Sequence, residues 1–251
     1  MIKDVKPHDG GMYTCVASNI LGLVKTSATL TVQVAALINQ KPSSIVAEVG
    51  ENVRLQCKAT GSYIIDPDGK VGVAPFSVYC DMSDKGGVGV TIISHDSEKR
   101  THVNSASPGC GGAGCYSKDV TYTGDSTAQL AALTRVSQNC EQFIKFECNN
   151  DVAFIENHHA WWVSHDGTRM NYRGGATGHT NMCGCGVANS CRGGKKCNCD
   201  YQTTTIGWRE DSGLLTDKTS LPVTQIRLGD LDQSHEEGYH TLGKLKCYEL
   251  T

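Results

Sequence analysis

Along this chain, apolar and polar positions alternate with period two in several short runs, and one run follows the helical period. Thr26-Ser-Ala-Thr-Leu-Thr-Val32 alternates and predicts a strand. Val53, Leu55 and Cys57 alternate after the turn at Gly50-Glu-Asn and predict another. Tyr63 to Ile65 precede an Asp66-Pro-Asp-Gly69 turn, and Phe76, Val78 and Cys80 alternate beyond it, so this stretch predicts a hairpin. Between Ala128 and Cys140, the residues Leu130, Leu133, Val136 and Ser137 fall at helical spacing after a cap at Thr123-Gly-Asp-Ser-Thr127. From Cys183 to Asp200 neither period survives, because Gly184, Gly186, Gly193 and Gly194 interrupt both. The pattern predicts an α+β fold, mainly β, with one loop that buries too little apolar surface to order its own backbone.

Cysteine usage says what holds that loop. The spacing is Cys183-x-Cys185-x5-Cys191-x5-Cys197-x-Cys199, within a chain of 251 residues that carries 13 cysteines. In a reducing cytosol such usage reads as metal or redox chemistry; in a secreted chain it reads as a disulfide framework. A thiolate zinc site is disfavoured because the spacing is Cys-x-Cys, not Cys-x2-Cys. No positively charged segment followed by an apolar run opens the chain, so the sequence is read as a fragment of a secreted protein. The longest apolar run, Val34 to Ile38, falls well short of the roughly 20 residues of a membrane span. A net charge of −3 argues against a nucleic-acid or anionic-membrane surface. Arg173-Gly-Gly occurs once in this near-neutral chain and is no RNA-binding repeat. No Asn-x-Ser/Thr sequon occurs, so ordinary N-glycans are not expected.

Two stretches resemble known families. Asp9-x-Gly11-x-Tyr13-x-Cys15, followed by the alternation through Val32, resembles the last two strands of an immunoglobulin-like domain, with a Tyr two residues before its second Cys. Residues 1–34 are therefore read as the C-terminal half of such a domain, and Cys15 is expected to lack a partner in this chain. Residues 35–57, including Pro42 to Cys57, resemble the opening strands of a second such unit or a lead-in. From residue 54 to 250 the chain is similar to the fibrinogen-like C-terminal domain of contactin-associated proteins in the neurexin superfamily. The matching pieces begin with the Gly61–Cys80 hairpin, Thr91-Ile-Ile-Ser-His-Asp96, Ala128 to Cys140, Cys148 and Trp161-Trp162. They continue with Tyr172-Arg-Gly-Gly175, the cysteine loop, Trp208-Arg-Glu-Asp-Ser-Gly213, Leu221-Pro-Val-Thr-Gln-Ile226, Gly229-Asp230 and Cys247. The chain departs from that family in Cys110-Gly-Gly-Ala-Gly-Cys115, an extra local pair. An immunoglobulin-like plus fibrinogen-like chain also resembles skeletal organic matrix proteins of invertebrates.

The resemblance implies a Cys57–Cys80 bridge, since in that family a cysteine just before the hairpin bonds to its second strand. Proximity suggests Cys110–Cys115 and Cys140–Cys148 as further pairs. Cys183, Cys185, Cys191, Cys197, Cys199 and Cys247 then remain, with connectivity open. The Cys-x-Cys members are expected to reach outward, one of them to Cys247.

Candidate chemistry is sparse. Asp230-x-Asp232, with Glu236 and Glu237 following, is the best calcium candidate, because calcium takes hard oxygen ligands on a loop and the fibrinogen-like resemblance implies a site in this quarter. No other cofactor is expected. Trp161 and Trp162 are expected in the core, with one ring as a binding platform at the surface. His158, His159, His165 and His179 fall in the same region but lack the i, i+4 spacing that would frame a metal. Ser164-His165-Asp166 holds triad residue types, yet sequence neighbours do not make nested hydrogen bonds, so no catalytic residue is assigned. The expected function is that of a secreted, non-enzymatic extracellular matrix or adhesion protein. It would bind matrix proteins or glycans and no nucleic acid, in one version within the organic matrix of a mineralised skeleton. The alternative is a calcium-dependent glycan-binding lectin of the fibrinogen-like class.

Overall fold

The computed structural model describes residues 11–20, 22–30, 59–69, 72–104, 110–149, 154, 158–201, 207–233 and 236–249. The stretch 35–57, with Cys57, lies outside them. The chain forms two compact units, Met1–Ser43 and Ser44–Thr251. No helix among the described residues is long and apolar enough to cross a membrane.

The first unit shows one antiparallel ribbon of β1 (Gly11–Asn19) and β2 (Gly22–Leu30), paired from Gly11↔Leu30 to Asn19↔Gly22. The register puts Tyr13, Cys15 and Ala17 on one side with their partners Ala28, Thr26 and Val24. Every described side chain of the ribbon is exposed, and Cys15 is a free thiol.

The second unit is built on two antiparallel sheets. Its strands are β3 (Gly61–Ile65), β4 (Phe76–Lys85), β5 (Val88–Ile93), β6 (Thr101–Asn104), β7 (Tyr116–Asp119), β8 (Asn139–Asn149), β9 (Trp161–Val163), β10 (Arg169–Met170), β11 (Arg209–Leu215), β12 (Gln225–Leu228) and β13 (Glu237–Tyr248). The larger sheet runs β11-β8-β13-β5-β4-β3, with β6 also paired to β13; the smaller runs β10-β9-β12-β7. The long strand β13 serves two neighbours on one side. Its first half, from Glu237, pairs with β6, and its second, from Leu245, pairs with β5. On the other side it pairs with β8 across a bulge between Leu242 and Leu245.

The hairpin expected from the alternation is β3–β4, and Phe76, Val78 and Cys80 are buried while their neighbours Ser77 and Tyr79 are exposed. The expected helix is α1 (Thr127–Val136), opened by Ser126 and Gln129 in a reciprocal capping box. It buries Leu130, Ala132, Leu133 and Thr134. It stops short of Cys140 because Ser137 turns extended and returns its N–H and hydroxyl to Leu133 O, while Lys218 Nζ donates to the carbonyls of Arg135 and Ser137. Val136, placed on the apolar face by its spacing, is therefore exposed at the helix end. The core packs Phe146 against Phe154, ring centroids 4.8 Å apart, with Trp162, Ile144, Leu221, Val223, Ile226 and Leu228. The architecture is α+β and mainly β.

Disulfides complete the fold. Cys110–Cys115 forms as proximity suggested. Cys140 does not bond Cys148. Both lie on β8, and eight residues of strand separate them by about 26 Å, far beyond disulfide reach. Cys140 bonds Cys247 directly across the β8–β13 register, and Cys148 bonds Cys199. Cys183–Cys197 and Cys185–Cys191 close the loop upon itself. Of the Cys-x-Cys members only Cys199 leaves the loop, and none reaches Cys247. Cys80 is disulfide-bonded. Inside the loop, where no period was legible, sit one short helical turn, α2 (Gly184–Val187), and a 3-10 turn at Arg192–Gly194.

Candidate functional site

The acidic candidate lies on the connection between β12 and β13. Leu231 is fully buried and donates its N–H to Cys110 O at 2.9 Å, so it anchors the turn. Asp230, before it, adopts φ 58, a conformation that Asp tolerates better than most residues. Glu236 is buried and folds back, its Oε2 accepting the N–H groups of Asp232 at 3.0 Å and Gln233 at 2.8 Å. Oxygens of Asp230, Asp232 and Glu236 thereby lie within 4.8 Å of one another. Burial, and then the charges of Asp230 and Asp232, push the Glu236 carboxyl above its ordinary pKa. Three carboxylates this close repel, and either a proton or a cation relieves them. Glu237, the other acidic residue of the expected set, points elsewhere. It pairs with His102 at 2.8 Å and accepts from Asn149 Nδ2.

The Cys110–Cys115 loop packs against this cluster and links it to the tryptophans. A Cβ at Gly111 would fall 2.5 Å from Asp232 Oδ2. Gly114 adopts φ 62 and lies so close to Trp161 that a Cβ would fall 2.0 Å from its Cη2, so only glycine fits. Gly114 N–H bonds His159 O, and Arg227 Nη1 donates to Gly114 O, each at 3.1 Å. Beside the Trp161 ring lies the Arg169 guanidinium, 3.8 Å from its centroid. Trp161 is partly exposed. Trp162 is fully buried, its Nε1 donating to Tyr172 O at 2.8 Å and its ring edge-on to Tyr172.

The histidines do not converge. His165 Nε2 lies 3.0 Å from Thr219 O, and His158 takes φ 60 with its carbonyl accepting from Arg169 Nη2. Ser164 Oγ donates to Asp166 Oδ1 at 2.5 Å, and both accept from Thr168 N–H, which closes the β9–β10 turn without His165. Cys183, Cys197 and Asp211 also cluster, but the two sulfurs are bonded to each other and offer no thiolate.

Sequence reasoning missed a buried charge system under the cysteine loop. Asp211 on β11 accepts the N–H groups of Asn198 at 2.9 Å and Cys199 at 2.8 Å. Burial pushes the Asp211 carboxyl up despite these bonds. Arg173 is fully buried near it, 4.9 Å over the Phe154 ring, and burial brings its guanidinium down to about 10 against the charges of Asp211 and Asp200. The glycines of the two motifs that carry these residues touch. A Cβ at Gly174 would fall 2.1 Å from the Gly213 backbone, so the two segments approach each other closely there. A second aromatic surface was also missed. Arg100 lies 3.1 Å over Tyr239, with His102 stacked on the same ring and Trp208 alongside, about half exposed.

Residues 38–244 match the fibrillar collagen C-terminal domain, and the chain belongs to that family. Residues 1–32 match the immunoglobulin I-set domain. Among curated proteins, contactin-associated protein 1 of Mus musculus is 35% identical over 202 residues, which is 79% of this chain and 14% of that protein. Contactin-associated protein 1 of Homo sapiens is 34% identical over the same span, covering the same shares. Neurexin-4 of Drosophila melanogaster is 31% identical over 193 residues, 73% of this chain and 14% of that protein. The chain thus spans about a seventh of the length of these relatives.

Proposed function

We propose that this chain is an extracellular adhesion module without catalysis, secreted and held in the extracellular matrix, where it binds other matrix proteins or glycans. The observation that carries this reading is the crosslink set. Five disulfides among the described residues suit an oxidising compartment, and a binding surface in that setting is best held rigid. The similarity to proteins named contactin-associated and neurexin supports a role in contact between cells or with matrix. In this reading residues 1–34 are the end of an immunoglobulin-like domain, 35–57 a lead-in, and 54–250 the fibrinogen-like binding unit with a Cys57–Cys80 bridge. A place in the organic matrix of a mineralised skeleton is its narrower form. Coated on a surface, the secreted, oxidised chain is expected to retain cells above an albumin control and to lose retention on reduction. A natural polypeptide with reduced thiols throughout, or no retention of cells or matrix proteins, overturns the proposal.

The clustering of Asp230, Asp232 and Glu236 favours a second reading, calcium-dependent glycan recognition with Trp161 as the neighbouring platform. The three carboxylates supply part of the six to eight oxygens calcium takes. A glycan array read with calcium and with chelator tests it. Binding that survives chelation, or that survives Asp232→Asn, removes calcium from the account.

A further inference from the structure

We propose that Cys115 Sγ is a site of thiol–disulfide exchange with an extracellular dithiol oxidoreductase, and that the exchange opens the Cys110–Cys115 loop. Among the five described disulfides, only this one has an exposed member, Cys115. Cys140–Cys247, Cys148–Cys199 and Cys183–Cys197 are buried at both ends, and Cys185–Cys191 is half-buried at one end and buried at the other. Exchange needs a thiolate to reach a sulfur from outside, so access selects the bond. Loop length selects the same one. Its sequence separation of 5 is the smallest of the set, against 6, 14, 51 and 107, and the closure entropy a bond lends the fold shrinks as its loop shortens. This bond can open while the core stays crosslinked. The incoming thiolate attacks Cys115 Sγ, and the electron pair of the broken bond leaves on Cys110 Sγ, which takes up a proton. The second thiol of the reductant then attacks its own sulfur in the mixed disulfide. Cys115 leaves as a thiolate and is protonated, so the chain gains two electrons and two protons, and the reductant is left as a disulfide.

The loop braces two parts of the surface, and this gives the exchange a consequence. At the acidic turn, Cys110 O accepts the Leu231 N–H at 2.9 Å. A Cβ at Gly111 would fall 2.5 Å from Asp232 Oδ2, and one at Gly229 would fall 2.3 Å from Gly112 O, so loop and turn interlock. On the other flank Gly114 lies against the Trp161 ring, its N–H bonds His159 O and its carbonyl accepts from Arg227 Nη1. Three of the four residues between the cysteines are glycine, the residue type with the most backbone freedom to regain. No strand of either sheet runs through residues 110–115. Opening the bond therefore loosens the seat of Trp161 and the Asp232 side of the turn together, and leaves the sheets in place.

The oxidised starting state rests on the extracellular reading above. The test uses the oxidised, full chain with Cys15 alkylated beforehand. A thioredoxin-type enzyme whose second active-site cysteine is replaced by serine should be trapped on Cys115, read by peptide mass mapping. The ordinary enzyme should open Cys110 and Cys115 to alkylation at least about tenfold faster than any cysteine of the four other described bonds. Iodide should then quench tryptophan emission more strongly, and Trp161→Phe should abolish that increase. Cys110→Ser with Cys115→Ser is expected to show the stronger quenching without reductant and to keep the other four bonds. No trap, a trap on Cys185 or Cys191, alkylation without preference, or selective opening with unchanged quenching overturns the proposal. All four are read on the native cysteines, so a serine variant that fails to fold does not rescue it. Cells still retained by the oxidised chain while the exchange fails would sink this inference and leave the extracellular one standing.

Discussion

The cysteine loop and the β1–β2 ribbon are opposites. The ribbon has regular strands and unbroken register over nine pairs, yet all its described side chains are exposed and its cysteine is free. The loop has almost no regular structure, yet Cys183, Cys191, Cys197 and Cys199 are buried and bonded. A two-stranded ribbon is marginal in water because neither face gains a core. A crosslinked loop is stable without a period because the bonds remove freedom from the unfolded chain. Hydrogen-bonded regularity and stability are thus separate properties in this molecule.

That contrast breaks most visibly at Cys148–Cys199, the bond that ties the loop to β8. Cys148→Ala with Cys199→Ala is expected to cost about 4 kcal/mol in urea unfolding, from the closure entropy of a loop with a sequence separation of 51. Next comes the charge system beneath the loop. Arg173→Ala leaves Asp211 buried with its main compensating charge removed, and at least about 3 kcal/mol should be lost in the same assay. Arg173→Lys should rescue it poorly, because an ammonium lacks the planar fork.

Acid sharpens the comparison, since the second unit buries titratable groups and the described part of the ribbon buries none. His240 is buried against Tyr116 Oη at 2.8 Å, and burial holds its imidazole down to about 4. Its folded value lies below its unfolded one, so the folded state resists the proton. Stability is whole above pH 6.5 and falls as pH drops from there toward 4, by up to about 3 kcal/mol. His240→Gln should flatten that part of the pH profile. At the other extreme, Cys15→Ser should shift stability by less than about 0.5 kcal/mol, as for an exposed site with no partner. A larger loss would mean that the ribbon is braced in solution.

The β3–β4 hairpin and α1 were legible because their signals are local. Tyr63 to Ile65, the Asp-Pro-Asp-Gly turn and the Ser126–Gln129 box each act within a few residues. Cysteine pairing was not legible in the same way. Nearness in sequence suggests nearness in space, but an extended strand such as β8 inverts that relation for Cys140 and Cys148. The acidic cluster was half visible. Asp230 and Asp232 stand out by spacing, but choosing Glu236 over Glu237 depends on where β13 begins, since neighbours at a strand start point to opposite sides. Arg173 gave no signal, because a buried arginine and a surface one are spelled alike, and its neighbour Gly174 meets Gly213 across a sequence gap of about forty residues.

The central position of β13 sets an order of events during synthesis. Residues 237–248 follow every other described strand in the sequence, yet they lie in the middle of the larger sheet. Until they emerge from the ribosome, β8 and β5 have no common neighbour, and Cys140 remains a thiol until Cys247 arrives. Mispaired intermediates should therefore accumulate around Cys140 early in biogenesis, and a thiol–disulfide isomerase should speed maturation.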